Sequence, residues 1–396
     1  MATENTGAQA LRDDDEVYKR FLATLTQHGI SRTGASVLLA QLFGGTEKRR
    51  GGQPVRGDLH IAYTAGEDVN IPGLVNHLTE LHPNGKRANA SNATYTGLVG
   101  TVRSKGPNAG WFLDNGALTD SSTSYLAIQH PHDLDDRTTN SLIEGIGSGG
   151  ISISKKGFHD TVDMTASVLL IDTPTSGEWD EYGWLKEQAE TVPQSLASTL
   201  DLIYADVDGL QEPVTAEPIE PDTAREYITD AQQYTPVIEQ AVESQLFEAL
   251  VEIHVESLGE DSVPQQGKDT LHRLSEACAR IRHDDDVLPV DADRAIQMYR
   301  RPYEVMYGID NEPKNLSDEQ IDTAIQGYVS EETKKKRRVR QMFSRREPGD
   351  AIDEDAIIEK GAEKGLSKRE VLVILGELKG KGEIAESRNG GWYDIT

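Results

Sequence analysis

The segment HPHDLDD gathers His130, His132, Asp133, Asp135 and Asp136 into one short stretch. Imidazole nitrogens and carboxylate oxygens are ligands for divalent cations, so these residue types admit a metal site. They equally suit a surface turn that opens a helix, because carboxylates in a first turn face the positive end of the helix dipole. The turn is the preferred reading, and no bound metal is expected. A second concentration is KKKRRVRQMFSRR, where Lys334 to Arg346 hold eight basic residues and no acidic one. Lys334, Lys335, Lys336, Arg337, Arg338 and Arg340 are candidate contacts to DNA or to an acidic partner; charge runs elsewhere are often only solvated. Lys155 and Lys156 stand at the tip of GISISKKGFHDTVDM, which reads as a β-hairpin. The single cysteine, Cys278, can form neither an internal disulfide nor a zinc cluster by itself, and its helical spacing in LSEACARI predicts burial.

These groups sit in an acidic chain. Among 396 residues, 67 acidic against 40 basic give a formal net charge of -27, which opposes contact with polyanionic DNA unless positive charge is locally concentrated. Acidity spread over a whole surface also keeps a protein soluble where salt screens repulsion, so a halophilic source is expected. Mean hydropathy of -0.54 with 36% hydrophobic residues fits a globular protein of two or three domains. No stretch reaches the apolar length of a membrane span, and MATENTGAQALRDDDE lacks the basic-then-apolar order of a leader, so no membrane partner and a cytoplasmic location are expected.

The elements that must position these residues follow from periodicity. Val17, Phe21, Leu22 and Leu25, then Val37, Leu38, Leu42 and Phe43, mark two amphipathic helices within residues 1–56. GDLHIAYTAG, SYLAIQHPHDL and ASVLLIDTP read as three buried strands, LVNHLTEL and DDRTTNSLIEGI as helices between them, and RANASNATYTGLVGTV with GWFLDNGAL as a strand or hairpin insertion. This alternation over residues 57–208 predicts an α/β core with a mostly parallel sheet. Pro213, Pro218 and Pro221 among acids mark a linker from Asp206 to Thr223, and the region 209–310, which it overlaps, continues as four helices, a helical lid. Residues 311–348 form a second linker with the basic run, and 349–396 read as two helices and a short hairpin, the order of a winged helix packed by Leu372, Leu375, Leu378, Ile384, Trp392 and Tyr393. With Lys364, Lys368 and Arg369 among acidic neighbours, that unit suits DNA or protein contact.

In this order the segments resemble the AAA+ module and tail of the MCM (minichromosome maintenance) helicases. LLAQLFGGTEKRRGGQPVRGDLHI is similar to the family's approach to its phosphate-binding strand, TGLVGTV and GWFLDNGAL to its helix-2 insert, DDRTTNSLIEGIGSGGISISKKGFHDTV to the helix after Walker B with the pre-sensor-1 hairpin, and RLSEACARIR to its lid helix. The resemblance covers Val17 to Arg301 and the tail, without the family's N-terminal OB-fold portion. It implies an AAA+ parallel sheet with flanking helices, a helical lid and a C-terminal winged helix, an archaeal source, and hairpin lysines Lys155 and Lys156 directed at DNA.

It also implies ATP and magnesium, and there this sequence departs from the family. A P-loop needs glycines whose backbone N–H groups wrap phosphates, a lysine, and a hydroxyl for magnesium. The aligned AGEDVNIP begins with Ala65 and Gly66 but carries Ile71 at the lysine and Pro72 at the hydroxyl, with Glu67 and Asp68 adding negative charge. Gln129 and His130 replace the Walker B carboxylates, Thr173 the sensor-1 asparagine, Thr199 the arginine finger and Gln266 the sensor-2 arginine. The expectation is an ATPase-deficient MCM-like protein without bound cofactor, a DNA-binding, regulatory or structural partner of an MCM helicase or another replication protein in a homo- or hetero-oligomer. The alternative is an active helicase subunit with a non-standard nucleotide site.

Overall fold

The structure, a computed structural model, describes residues 7–12, 14, 16–50, 52–106, 110–155, 158–174, 178–179, 191–209, 213–258, 265–307, 339, 352–363, 366–380, 384–386 and 391–394. The chain divides into one unit of Met1–Asn315 and another of Leu316–Thr396.

The larger unit is built on a five-stranded parallel sheet in the order β11-β3-β10-β7-β4. Its strands are β3 (Ile61–Ala65), β4 (Gly85–Asn89), β7 (Tyr125–Gln129), β10 (Ser167–Asp172) and β11 (Leu202–Asp206). The three central strands are the apolar runs read from the sequence, and near-continuous apolar strands are what a sheet covered on both faces requires. Two strands enter unannounced. Edge strand β4 is the polar GKRAN, set in register by pairing Arg87 with Ala127 of β7. Strand β11 reaches Asp206, so the linker expected to start there begins later, and helix α8 (Pro221–Ala231) closes it.

Helices α2 (Val17–Thr26), α3 (Arg32–Phe43), α4 (Ile71–Leu81) and α6 (Asp136–Ser148) flank the sheet, with α1 (Gly7–Arg12), α5 (Tyr95–Leu98) and α7 (Gln194–Ala197) short. Side-chain caps fix two starts: Ser31 Oγ accepts from Gly34 N at 3.0 Å and Asp135 Oδ1 from Thr138 N at 2.7 Å. Leu126, Ile128, Val168 and Leu170 pack against Leu142, Ile146 and Leu196 in one buried cluster. Two antiparallel hairpins project from this frame: β5 (Gly100–Ser104) with β6 (Trp111–Asn115), and β8 (Gly150–Lys155) with β9 (Phe158–Asp163). A smaller one, β1 (Lys48–Arg50) with β2 (Gln53–Val55), precedes β3.

The lid comprises α8, α9 (Gln240–Leu258), α10 (Gln265–Ile281) and α11 (Pro289–Tyr307). Helix α10 grips the core with charged groups that are themselves buried. Arg273 Nη1 pairs with Asp201 Oδ1 at 2.5 Å and Arg273 Nε donates to the Arg56 carbonyl at 2.9 Å. Glu276 Oε2 accepts from Thr46 N at 2.9 Å, and Arg280 Nη1 donates to the carbonyls of Phe43, Gly44 and Gly45. Gly45 and Gly57 permit the approach: a Cβ on Gly45 would stand 2.8 Å from Arg273 Cα, and one on Gly57 2.4 Å from the Gly45 carbonyl oxygen. Cys278, on the same helix, is fully buried, as its spacing predicts.

The smaller unit holds α12 (Glu354–Glu363), α13 (Lys368–Gly380) and an antiparallel sheet of order β12-β14-β13, from Ile352–Asp353, Gly391–Asp394 and Ile384–Glu386. Val371, Ile374, Leu375, Leu378 and Trp392 form its core. Leu372 does not join them: it is 37% exposed, because the buried stripe of α13 runs through positions 371, 374, 375 and 378. The side chains of Ile384 and Tyr393 lie outside the described residues.

Two expectations follow. Arg273→Ala removes one of the two arginines on buried Asp201 and leaves Arg56 at 2.7 Å, so urea unfolding should show a loss of about 1–3 kcal/mol. Burial holds His82 and His254 at about 4, below the roughly 6.5 of an unfolded chain. The unfolded chain therefore takes up these protons first; their contribution is complete above pH about 6.5 and is lost as pH falls toward 4, at no more than roughly 1.4 kcal/mol per pH unit per histidine. The urea midpoint should fall between pH 7 and pH 5 at constant salt, less steeply for His82→Asn.

Candidate functional site

The C-terminal ends of the parallel strands are where an open α/β sheet presents loops to a ligand. Between β3 and α4 the chain turns in five residues, Gly66 to Asn70. From Val69 to Leu74, Pro72 apart, each amide donates to an acceptor of the chain itself. Val69 N donates to Gly66 O at 3.1 Å, Asn70 N to His28 O at 3.1 Å and Ile71 N to Val69 O at 2.8 Å. Pro72 has no N–H, Gly73 N donates to the Asn70 side chain at 3.1 Å, and Leu74 N donates to Asn70 O at 2.8 Å. Pro72 fits the first helical turn, as its fixed φ allows. Ile71 is 7% exposed and joins Leu74, Val75 and Leu78 on the buried face of α4. A helix start normally offers free donors to an anion; this one has assigned them internally.

Trp179 adds a cover that nothing in the linear sequence signals. A Cβ built on Gly66 would meet its ring at 3.2 Å, and its Nε1–H donates to the carbonyl of Asp206 at 3.2 Å. The Glu178 carboxylate beside Glu67 raises the Glu67 carboxyl above the usual range. Ala65, Gly66, Ile71 and Pro72 are thus brought to one loop, bordered by acid and indole.

The ends of β7 and β10 form the second part. Gln129 is the last residue of β7, and His130 follows at φ 54° and ψ 52°, a left-handed conformation uncommon for a non-glycine residue. Residues Pro131–Asp133 make one 3-10 turn before α6, so HPHDLDD is a turn leading into a capped helix. Sequence reasoning missed Asp172, the last residue of β10, which is 2% exposed. It accepts from Thr173 N at 2.9 Å, and the Nδ1 atoms of His130 and His132 lie 3.2 and 2.5 Å from its two oxygens. That carboxylate is committed to its own neighbours. Among the described residues no group of three or more His, Cys, Asp or Glu side chains is arranged to hold a metal ion. Its one signal in sequence is an acid closing the apolar run SVLLID.

Thr199 and Gln266 also bond within the chain. Thr199 Oγ1 donates to Leu196 O at 2.7 Å and Gln266 Nε2 to Leu200 O at 2.7 Å. Next to Leu200, Asp201 is buried, which alone would raise its pKa, but Arg56 and Arg273 hold it below the usual range.

On the hairpins, Lys155 ends β8, is exposed, and donates from Nζ to Thr101 Oγ1 of β5 at 3.2 Å, joining the two projections. Arg103 lies across from Phe112 in the β5–β6 register, and Phe112 is 37% exposed. Lys156, Lys364 and the run Lys334, Lys335, Lys336, Arg337, Arg338 and Arg340 lie outside the described residues. Among the described residues no helix is long and apolar enough to cross a membrane.

The family model described as MCM P-loop domain matches residues 6–217 and the one described as MCM AAA-lid domain matches residues 222–302. DNA replication licensing factor MCM7 of Oryza sativa subsp. indica is 22% identical over 335 residues, covering 77% of this chain and 46% of that protein. Minichromosome maintenance protein MCM of Saccharolobus solfataricus is 24% identical over 373 residues, covering 89% and 54%. DNA replication licensing factor mcm4-B of Xenopus laevis is 24% identical over 315 residues, covering 72% and 36%. The chain spans about half the length or less of these relatives.

The internal cap gives the site its own test. Asn70→Ala should lower stability by about 1 kcal/mol in urea unfolding, and Asn70→Asp should restore most of it.

Proposed function

The chain belongs to the MCM family, and we propose that it is a non-hydrolysing member, a DNA-contacting or regulatory partner of a helicase assembly. The observation that carries this reading is the β3–α4 loop. Phosphate binding relies on backbone donors facing outward, a lysine on the β- and γ-phosphates and a hydroxyl on magnesium. Here the amides of Val69, Asn70, Ile71 and Gly73 have partners inside the protein, and Ile71 and Pro72 provide neither charge nor hydroxyl. Glu67, Asp68 and Glu178 oppose an anion further.

Hydrolysis loses support on each remaining count. Gln129 has no charge to organise magnesium. Asp172 is held by His130, His132 and Thr173. Thr199 and Gln266 supply no cation at the finger and sensor-2 positions. Transition-state charge in phosphoryl transfer is stabilised by such cations, so no cofactor is assigned.

DNA contact rests on the exposed Lys155 beside Thr101, on Arg103 and Phe112 of the adjoining hairpin, and on the basic run from Lys334. Bases can stack on an exposed aromatic ring while cations meet phosphates. In the smaller unit, two helices and a three-stranded antiparallel sheet fit a winged helix whose exposed Lys368 and Arg369 suit nucleic acid or an acidic protein. The net charge of -27 fits a halophilic archaeal source, where salt weakens phosphate contacts and favours binding within an assembly.

Magnesium-ATP binding and phosphate release, measured in molar KCl, test this function. The expected result is no saturation at millimolar ATP and no turnover, with hydrolysis still absent in Ile71→Lys/Pro72→Thr because Gln129 remains. Turnover that disappears on Gln129→Ala would refute it. In the same buffer Lys155→Ala should weaken single-stranded DNA binding and reduce the salt slope by about 1.

A further inference from the structure

A cleft of about 480 Å³ opens between α5, α6 and β8, beside the hairpin that carries Lys155. Helix α6 presents Arg137, Asn140, Ser141 and Glu144 to it at the i, i+3, i+4, i+7 spacing of one helical face, while Leu142 and Ile146 of the same helix are buried. Strand β8 alternates likewise: Ile151 and Ile153 are buried, and Ser152 and Ser154 line the cleft. Tyr95, the one aromatic residue of the lining, starts α5, whose Thr94 cap accepts from Gly97 N at 3.1 Å. Two of these side chains are held in place by contacts. The Arg137 guanidinium lies 3.6 Å from the centre of the Tyr95 ring, and among the described residues no carboxylate pairs with it. Glu144 Oε1 accepts from Ser152 N at 3.1 Å, which draws this carboxylate to β8 and leaves Oε2 without a partner among the described residues.

A guanidinium lying flat on an aromatic ring offers its other face to a second planar group, and unpaired bases stack on such planes. A carboxylate is matched best by two parallel N–H donors. Guanine is the one common base that carries N–H on two neighbouring nitrogens of its pairing edge. Asp136 also lines the cleft, and two carboxylates against one guanidinium suit a neutral base better than a phosphate group. The volume falls within the roughly 300–1,000 Å³ of sites that hold a small ligand. Stacking and paired hydrogen bonds also survive salt that competes phosphate contacts away, which suits a chain of net charge -27. We propose that this cleft holds an unpaired guanine base, stacked on the Arg137–Tyr95 pair with its N1–H and N2–H edge on Glu144. The assignment rests on the reading that DNA meets Lys155, the neighbour of Ser154. The base comes either from a single strand passing the hairpin or from a free guanine nucleotide.

Fluorescence anisotropy of the full chain in molar KCl compares a labelled oligothymidylate, the same strand with isolated guanines, and that strand with inosine, which lacks the N2 amino group, in their place. GMP and IMP are titrated in parallel by calorimetry. The expected result is binding of the guanine strand at least about fivefold tighter than of the other two. That preference should be lost in Glu144→Gln, whose amide cannot accept from both donors, and in Arg137→Lys, which keeps the charge and loses the plane. Circular dichroism of both variants, expected to match the wild type, excludes misfolding as the cause. GMP bound as tightly as the guanine strand assigns the base to a free nucleotide, and weaker or no GMP binding assigns it to the strand. Equal affinity for the three strands, or a preference that persists in either variant, overturns the guanine site and leaves the DNA contact standing. If no strand binds, the DNA reading fails and GMP decides the site: saturable binding over IMP that both variants lose supports it, and silence overturns it.

Discussion

A backbone N–H in a tight strand-to-helix turn can face a ligand or face the protein, and it cannot do both. That constraint governs the site at the end of β3. Ile71 lies on the hydrophobic face of α4, where a 7% exposed aliphatic side chain anchors the helix start. Pro72 removes one donor, Asn70 takes up another through its side chain, and His28 O draws the Asn70 amide toward the loop before α3. These residues act together. Each one closes the turn further, and together they make an inward-facing loop the satisfied state.

The frame around that loop is held by a separate set of interactions. Arg273, Glu276 and Arg280 recur on one face of α10 and reach Asp201, Thr46 and the carbonyls after α3. Burial pushes the Glu276 carboxyl up even with Lys48 beside it, and depresses the Arg273 guanidinium even with Asp201 beside it. Such groups are tolerated only where geometry satisfies them, so they specify how the lid sits on the core more than they add to stability. The residues that seat the lid on the core are thus distinct from those that close the β3–α4 turn.

How much of this was legible in the sequence depends on which force fixed each element. Strands β3, β7 and β10 are apolar on both faces and could be read directly. Strand β4, GKRAN, is an edge strand whose place is set by pairing with β7 and not by hydrophobicity. Asp206 looked like the first acid of a linker, yet Tyr63 and Ser31, distant in sequence, bring its side chain into the interior. Leu372 was read with Leu375 and Leu378 as packing the second helix of a winged helix, and the helical period of α13 turns it outward. In the site, Ile71, Pro72, Gln129 and Thr199 were singled out from the resemblance, and the structure adds where they lie: Ile71 and Pro72 at the start of α4, Gln129 at the end of β7 and Thr199 after α7. Asp172 and Trp179 were not singled out, because their roles come from contacts across strands and loops. The same holds for Lys155, whose position was predicted while its bond to Thr101 on the other hairpin was not.

Amide hydrogen exchange across Gly66 to Leu74, with and without magnesium-ATP in molar salt, addresses the central claim most directly. An inward-bonded loop predicts that the amides of Asn70, Ile71 and Gly73 are protected in the free protein and unchanged by ATP. Rapid exchange in the free protein, slowed when ATP is added, would mean that these donors face a phosphate and would contradict the account.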